Sequence, residues 1–306
     1  MPNMMRDLGL LVILATMWSS SFTVIKVGVE TLPPATFAML RVVIGALVLF
    51  TWLKLKRQSL PTDPRLWWSF FLIGCFGNAF PFTLINWGEQ ALPSGLAAIL
   101  IAAMPLAALV LGRIFSDEIL NVRRVLGVLV GFAGVVVLIG PQELMGLGDQ
   151  VPRQLAVVTA AIFYAIAGIL IRKLPGAKPL QHGTGVLIAS SAVLIPGAMM
   201  ADQPWTLDFS ANALAASVYL GVFPTALATI LLIIVIEARG VTFLALNNYI
   251  IPLLGVMWGY LFLNEAITEE ALTALALIFV GIAIAGTGPG TRKEAAQKIL
   301  DQKAQP

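Results

Sequence analysis

The chain has 306 residues, 58% of them hydrophobic and only 11% charged, with a mean hydropathy of +0.90. A soluble domain is roughly a quarter charged, so charge this sparse cannot coat a soluble globule, and most of the surface must face a lipid bilayer. A formal charge of +3 gives no footprint for a nucleic-acid partner, and one cysteine (Cys75) with one histidine (His182) excludes an intrachain disulfide and a Cys- or His-built metal site.

A membrane-spanning helix needs about 20 predominantly apolar residues. Such runs cover 8–28, 34–53, 66–88, 92–113, 122–140, 153–172, 181–200, 210–236, 241–263 and 268–287. Arg6 ahead of Leu8 to Met17 resembles a signal peptide, but the apolar run continues to Val29 and more spans follow at once, so it reads as an uncleaved first span. Short polar links separate the runs, including Pro33-Pro34, Lys54 to Pro64, Gly146 to Pro152, Asp202 to Asp208 and Glu265 to Glu270. Barrel strands are about ten residues long with alternating polarity, whereas these runs are twice that and apolar all round. The expected fold is all-α and integral to the membrane, with ten transmembrane helices.

Lysine and arginine positions orient the chain. With a cytoplasmic N-terminus, one side holds Arg6, Lys54, Lys56, Arg57, Arg65, Arg113, Arg123, Arg124, Arg172, Lys173, Lys178 and Arg239. The tail residues Arg292, Lys293, Lys298 and Lys303 bring that side to sixteen, against Lys26 and Arg153 on the other. The positive-inside rule then places both termini in the cytoplasm.

The two halves resemble each other. The segment PLAALVLGRIFSDEIL (105–120) lies over PLLGVMWGYLFLNEAI (252–267) at an offset of 147. Pro105/Pro252, Gly112/Gly259, Phe115/Phe262 and Glu118/Glu265 coincide, and the same offset pairs Gly74/Gly221, Phe76/Phe223, Phe132/Phe279 and Gly134/Gly281. At an offset of 146, Trp18 meets Tyr164 and Lys26 meets Arg172. Five helices per half make the second half enter the membrane from the opposite side, an inverted repeat common among transporters, with the substrate site where the halves meet. The expected organisation is a first repeat over 1–145, a second over 151–287 and a polar cytoplasmic tail over 288–306.

The stretch WSSSFTVIK (18–26) followed by PPATFAMLR (33–41) resembles the opening of the drug/metabolite transporter superfamily, EamA-type branch. So does the late pattern of each half: a proline, small and apolar residues, a glycine and a helix-ending Glu118 or Glu265. Ser19 stands where the family pattern usually has Gly. The resemblance covers nearly the whole chain and is strongest to YddG-type amino-acid exporters. It implies ten helices in a bacterial inner membrane and export of amino acids, aromatic ones especially and neutral ones such as threonine. The substrate comes from the resemblance alone.

Backbone breaks at mid-membrane point to a transporter site. Pro81, Pro105, Pro224 and Pro252 interrupt the third, fourth, eighth and ninth spans. Each proline frees the carbonyl four residues earlier, Asn248 for Pro252 and Leu220 for Pro224, although membrane helices also tolerate proline for packing alone. Asn78, Phe82, Ile85 and Asn86 follow one face of the third span. Asn247, Asn248 and Tyr249 precede Pro252, Thr225 and Thr229 are a turn apart, Trp18, Ser21 and Phe22 cluster on the first span, and Tyr164 matches Trp18 in the sixth. These form an expected substrate cavity of aromatic, amide and hydroxyl groups with almost no charge, suited to a zwitterionic or amphipathic solute. Trp67 and Trp68 fit an interfacial belt, and the asparagines fit interhelical hydrogen bonding equally well.

Intramembrane charge is scarce. Arg41 is expected to be a structural anchor paired with a helix-end carboxylate or backbone carbonyls. Glu89, Glu118, Glu237 and Glu265 fall at helix ends, to cap loops or pair with Arg113, Arg123 or Arg239. No acidic residue falls at mid-membrane, which favours uncoupled or loosely coupled transport over a proton relay. The GxxxG pairs Gly127/Gly131 and Gly255/Gly259 are expected to pack helices within a monomer, and His182 is expected to be a solvated interfacial residue. A membrane enzyme is disfavoured: there is no GxSxG, no HExxH and no Walker A sequence, and all seven aspartates lie in loops, tails or helix ends. No cofactor is expected. Exporters of other metabolites or drugs, a receptor and a scramblase remain as alternatives.

Overall fold

The computed structural model describes residues 4–115, 122–139, 150–174, 179–244 and 246–286. Among these residues the chain is helical throughout, without strands. Helices α1 (Met4–Gly28), α2 (Pro34–Leu55) and α3 (Pro64–Gly74) lead into a π turn at Cys75–Ala79, which continues as α4 (Phe80–Glu89). Then come α5 (Ser94–Ile101), α6 (Met104–Phe115), α7 (Val122–Ile139), α8 (Val151–Arg172) and α9 (Pro179–Ala201). A 3₁₀ turn at Pro204–Thr206 precedes α10 (Ala211–Leu220), a second π turn at Gly221–Leu227, α11 (Ala228–Leu244), α12 (Asn247–Leu263) and α13 (Glu269–Gly286).

Among the described residues, seven helical stretches are long and apolar enough to cross a membrane: 4–28, 34–55, 64–89, 94–112, 151–172, 179–201 and 211–232, with a shorter apolar helix at Val125–Leu138. Many exposed side chains are large and apolar, among them Leu129, Phe132, Leu253 and Phe262, as a lipid-solvated surface requires. The largest differences from the expected boundaries fall late in the chain. The run that was to end at 236 continues as helix to Leu244, because Glu237, Ala238 and Arg239 are good helix formers. The ninth run accordingly begins at Asn247 rather than 241.

The prolines act in different ways. Pro81 follows the first π turn and Pro224 lies inside the second, where the widened turn absorbs the missing N–H. Pro105 is the second residue of α6, a position that tolerates proline, and the break falls ahead of it at Ala102-Ala103. Pro252 lies inside a continuous α12. The ninth span is therefore not interrupted at Pro252.

The helices pack in pairs that correspond under exchange of the first half for the second. Helix α7 packs on α13, α2 on α9, and α5 on α12; α1 packs on α12 as α6 packs on α8, and α3 lies on α9 as the second π turn lies on α2. Glycines at offset 147 mark the closest approaches. A Cβ at Gly74 would meet Ser190 Oγ of α9 at 2.8 Å, and one at Gly221 would meet Ile44 Cβ of α2 at 2.7 Å. Between α7 and α13, a Cβ at Gly134 would lie 2.8 Å from the Ala274 carbonyl oxygen, and one at Gly281 would lie 2.5 Å from that of Gly127. Gly255 and Gly259 likewise seat α12 on the start of α5, beside Ala98 and Ser94. Both GxxxG pairs are thus used inside the chain. The main buried cluster, with Phe22, Phe37, Leu100, Val157, Leu220 and Ile278, draws on both halves.

Candidate functional site

The best-defined polar cluster lies between the halves, around Arg41. Its residue is only 6% exposed, and its Nε donates to Thr225 Oγ1 at 2.9 Å. The guanidinium carbon lies 3.8 Å from the Phe82 ring centroid, a cation–π arrangement strengthened by desolvation. Tyr164 and Glu89 are within electrostatic reach. The two π turns position the cluster: Phe82 begins three residues after the first, and Thr225 lies within the second. Arg41 is therefore hydrogen-bonded to a hydroxyl and stacked on an aromatic face, while the expected helix-end carboxylate, Glu89, stands within electrostatic reach without a hydrogen bond to it. A buried guanidinium beside aromatic rings and hydroxyls is chemically suited to a carboxylate carried on an amphipathic molecule.

The other expected lining residues have these surroundings. Phe22 is buried in the main core, and Ser21 spends its hydroxyl on the Met17 carbonyl of its own helix at 3.1 Å. Asn78 donates to Ser190 Oγ at 3.1 Å, tying the first π turn to α9. Thr225 occupies the position equivalent to Asn78 at offset 147 and ties the second π turn to α2, so the two residues are matching cross-links. Tyr164 packs against both buried clusters, and Trp18 is half-buried. Asn247 is 2% exposed with neither amide atom hydrogen-bonded. Asn248 is half-buried beside it, while Tyr249 turns to Phe279 of α13 with ring centroids 5.4 Å apart.

Glu265 caps a helix rather than pairing with an arginine. Asn264 adopts φ 53° and turns the chain back, so Glu265 N donates to the Gly259 carbonyl at 3.2 Å. Its carboxylate then accepts from Ser94 N at 2.6 Å, Gly95 N at 2.9 Å and Ser94 Oγ at 3.1 Å, at the N-terminus of α5. Gly259 leaves room for that carboxylate; a Cβ there would collide with it. Glu118 and the side chains of Arg113, Arg124, Glu237 and Arg239 lie outside the described residues, as does the 288–306 tail. His182 is half-buried with its ring edge-on to Phe70 at 5.6 Å, so it packs instead of standing in solvent.

Several polar contacts left no signal in the sequence. Ser20 and the Tyr219 hydroxyl are 2.8 Å apart, and Trp258 Nε1 donates to Ser19 Oγ at 3.0 Å, joining α1 to α10 and α12. Lys26 donates to the carbonyls of Glu89 and Leu92 at 2.7 and 3.0 Å. Arg153 reaches the Trp87 carbonyl and Gln90 Oε1 while stacking over the Trp87 ring.

Comparison with known proteins places these features in a family. The model of the EamA-like transporter family matches twice, over residues 7–140 and 153–287. An uncharacterized transporter of Archaeoglobus fulgidus is 26% identical over 92% of this chain and 98% of its own length. The uncharacterized inner membrane transporter YedA of Escherichia coli is 25% identical over 92% of this chain and 90% of its own. Protein PagO of Salmonella typhimurium is 24% identical over 89% and 90%. A crystal structure superposes with a TM-score of 0.66 over 92% of this chain and 97% of the other, at 21% sequence identity, which speaks to the fold alone.

Proposed function

Since the chain belongs to the EamA-like transporter family and is a multi-pass membrane transporter, we propose that it exports small amphipathic metabolites, amino acids in particular, aromatic and neutral such as threonine. The observation that carries this reading is the Arg41–Phe82–Thr225 cluster beside Tyr164. It presents a carboxylate-seeking cation, aromatic faces and a hydroxyl together on helices from both halves. In this reading Trp18 and Asn248, both half-buried, also face the solute, the one as an aromatic surface and the other as an amide able to meet an α-amino group.

Transport in this reading proceeds by alternating access through the seam between two inverted five-helix repeats, over 1–145 and 151–287. The twofold family match and the exchange-related packing pairs support the repeat. The sixteen-to-two charge asymmetry supports cytoplasmic placement of both termini. An inner-membrane location agrees with that of the relative YedA, an inner membrane transporter.

The test is purified protein in liposomes preloaded with unlabelled threonine or phenylalanine, followed by uptake of the labelled amino acid. Saturable counterflow is expected, with Trp18→Ala and Asn248→Ala altering its rate or selectivity. Flux no greater than in empty liposomes for every amino acid tried would remove the exporter reading. Unchanged flux in both variants would remove the proposed lining and leave the fold intact.

A further inference from the structure

Glu89, the last residue of α4, is fully buried, and neither carboxylate oxygen has a hydrogen-bond partner in the structure. Buried carboxylates are ordinarily hydrogen-bonded or paired, because an unpaired charge in a water-excluded site is costly. The bonds that would satisfy it are made elsewhere. Lys26 gives its ammonium protons to the backbone carbonyls of Glu89 and Leu92, not to the side chain. Arg41 is committed through Nε to Thr225 and through its face to Phe82. Both cations nonetheless stand within electrostatic reach of the carboxylate, as does Glu265.

The charged and titratable groups facing this position come from every neighbouring element. Helix α1 brings Lys26 and α2 brings Arg41. Helix α8 brings Arg153, already bonded to Trp87 and Gln90, and Tyr164 near Arg41. The segment after α12 brings Glu265, bound to the start of α5, and α5 itself carries no titratable side chain. Glu89 thus has one acidic and several basic neighbours, none of them bonded to it.

Its place in the packing supplies a reason to change charge. Helix α4 packs chiefly on α8, whereas α1, which carries Lys26, packs chiefly on α12, α10 and α11. A relative movement of those two groups changes the distance between Lys26 and Glu89, and with it the balance between the anion and the neutral acid. We propose that Glu89 is the proton-binding carboxylate that couples solute export to proton entry. One proton is taken up on a carboxylate oxygen when the seam opens to the outside, and the same proton leaves to the cytoplasm when it opens inward and solute binds. The net exchange is one proton in for one solute out.

The coupling rests on the exporter reading, whereas the binding of a proton by Glu89 does not. Full-length protein in liposomes is loaded with labelled threonine or phenylalanine, with the membrane potential clamped at zero and the outside made about one pH unit more acidic. Wild type and Asp208→Asn, an exposed loop carboxylate, should drive a solute gradient of up to roughly tenfold per pH unit, with matching acidification of the lumen. Glu89→Gln should retain solute counterflow and lose the pH-driven part, whereas Glu89→Asp should keep that part with a displaced pH profile. pH-driven export undiminished in Glu89→Gln overturns the proposal. The second measurement needs no solute: infrared difference spectra on changing pH should show a carboxyl C=O band that Glu89→Gln lacks. If wild type moves neither amino acid, the exporter reading fails while the band still decides for Glu89. A band lost in Glu89→Gln sustains the assignment, and identical spectra overturn it.

Discussion

Removing the Glu265 carboxylate should cost more than removing the serine hydroxyl it also holds. Glu265→Ala deletes the acceptor of two backbone N–H groups in the first turn of α5, at Ser94 (2.6 Å) and Gly95 (2.9 Å), and of the Ser94 hydroxyl at 3.1 Å. First-turn amides have no partner within their own helix, and Ser94 is fully buried. Hydrogen bonds to a charged acceptor contribute about 1.5–3 kcal/mol each, so the two amide bonds together amount to about 3–6 kcal/mol. Water entering the vacated space would offset part of this, leaving an expected loss of about 3 kcal/mol. Ser94→Ala loses the hydroxyl bond alone, the longest of the three, about 1.5 kcal/mol. The double variant should be no less stable than Glu265→Ala, because the serine hydroxyl has nothing left to lose. Reversible unfolding of all four proteins in mixed micelles of dodecyl sulfate and a mild detergent, followed by circular dichroism, measures the cycle. A Glu265→Ala cost no greater than that of Ser94→Ala, or fully additive losses in the double variant, would refute the capping account.

Three further outcomes follow from the same geometry. Gly281→Val should prevent stable folding, since its side chain would meet the Gly127 and Gly131 backbone, which cannot swing aside, whereas Gly168→Val, with nothing within 4 Å, should be recovered from detergent at near wild-type yield. Gly259→Ala should reproduce most of the Glu265→Ala loss in the same unfolding assay, because the added methyl displaces the capping carboxylate. Thr225→Val leaves the Arg41 Nε–H without its acceptor and should cost about 1–3 kcal/mol; Arg41→Lys should lose binding of a carboxylate-bearing solute while keeping the charge, since it forfeits the planar stack on Phe82.

Residue identity told most where it reported a local requirement. Glycine in fixed register between halves was visible because only glycine allows one backbone to approach another, and Gly74, Gly221, Gly134 and Gly281 all do so. The apolar runs were visible because lipid leaves few alternatives to a long helix. Partners distant in the chain were not visible. The sequence placed Glu265 at a helix end, but Ser94 lies 171 residues away. Glu89 read as an ordinary helix terminus because burial at a terminus depends on what folds over it, here α1 and α8. Ser21 read as a lining hydroxyl, yet a serine in a helix can turn to a carbonyl of the preceding turn, as this one does. The break at Ala102-Ala103 left no signal except Pro105 just beyond it.

The α7–α13 crossing has a mechanical consequence. Along α7 the two close approaches fall at Gly127 and Gly134, seven residues apart. At 1.5 Å per residue that is a lever of roughly 10 Å, so tilting one helix by about 5° would drive one end some 1 Å into backbone that has no room to yield. A single contact point would leave the pair free to scissor. Two points fix both separation and angle, and the pair must move as one rod whatever the helices around it do.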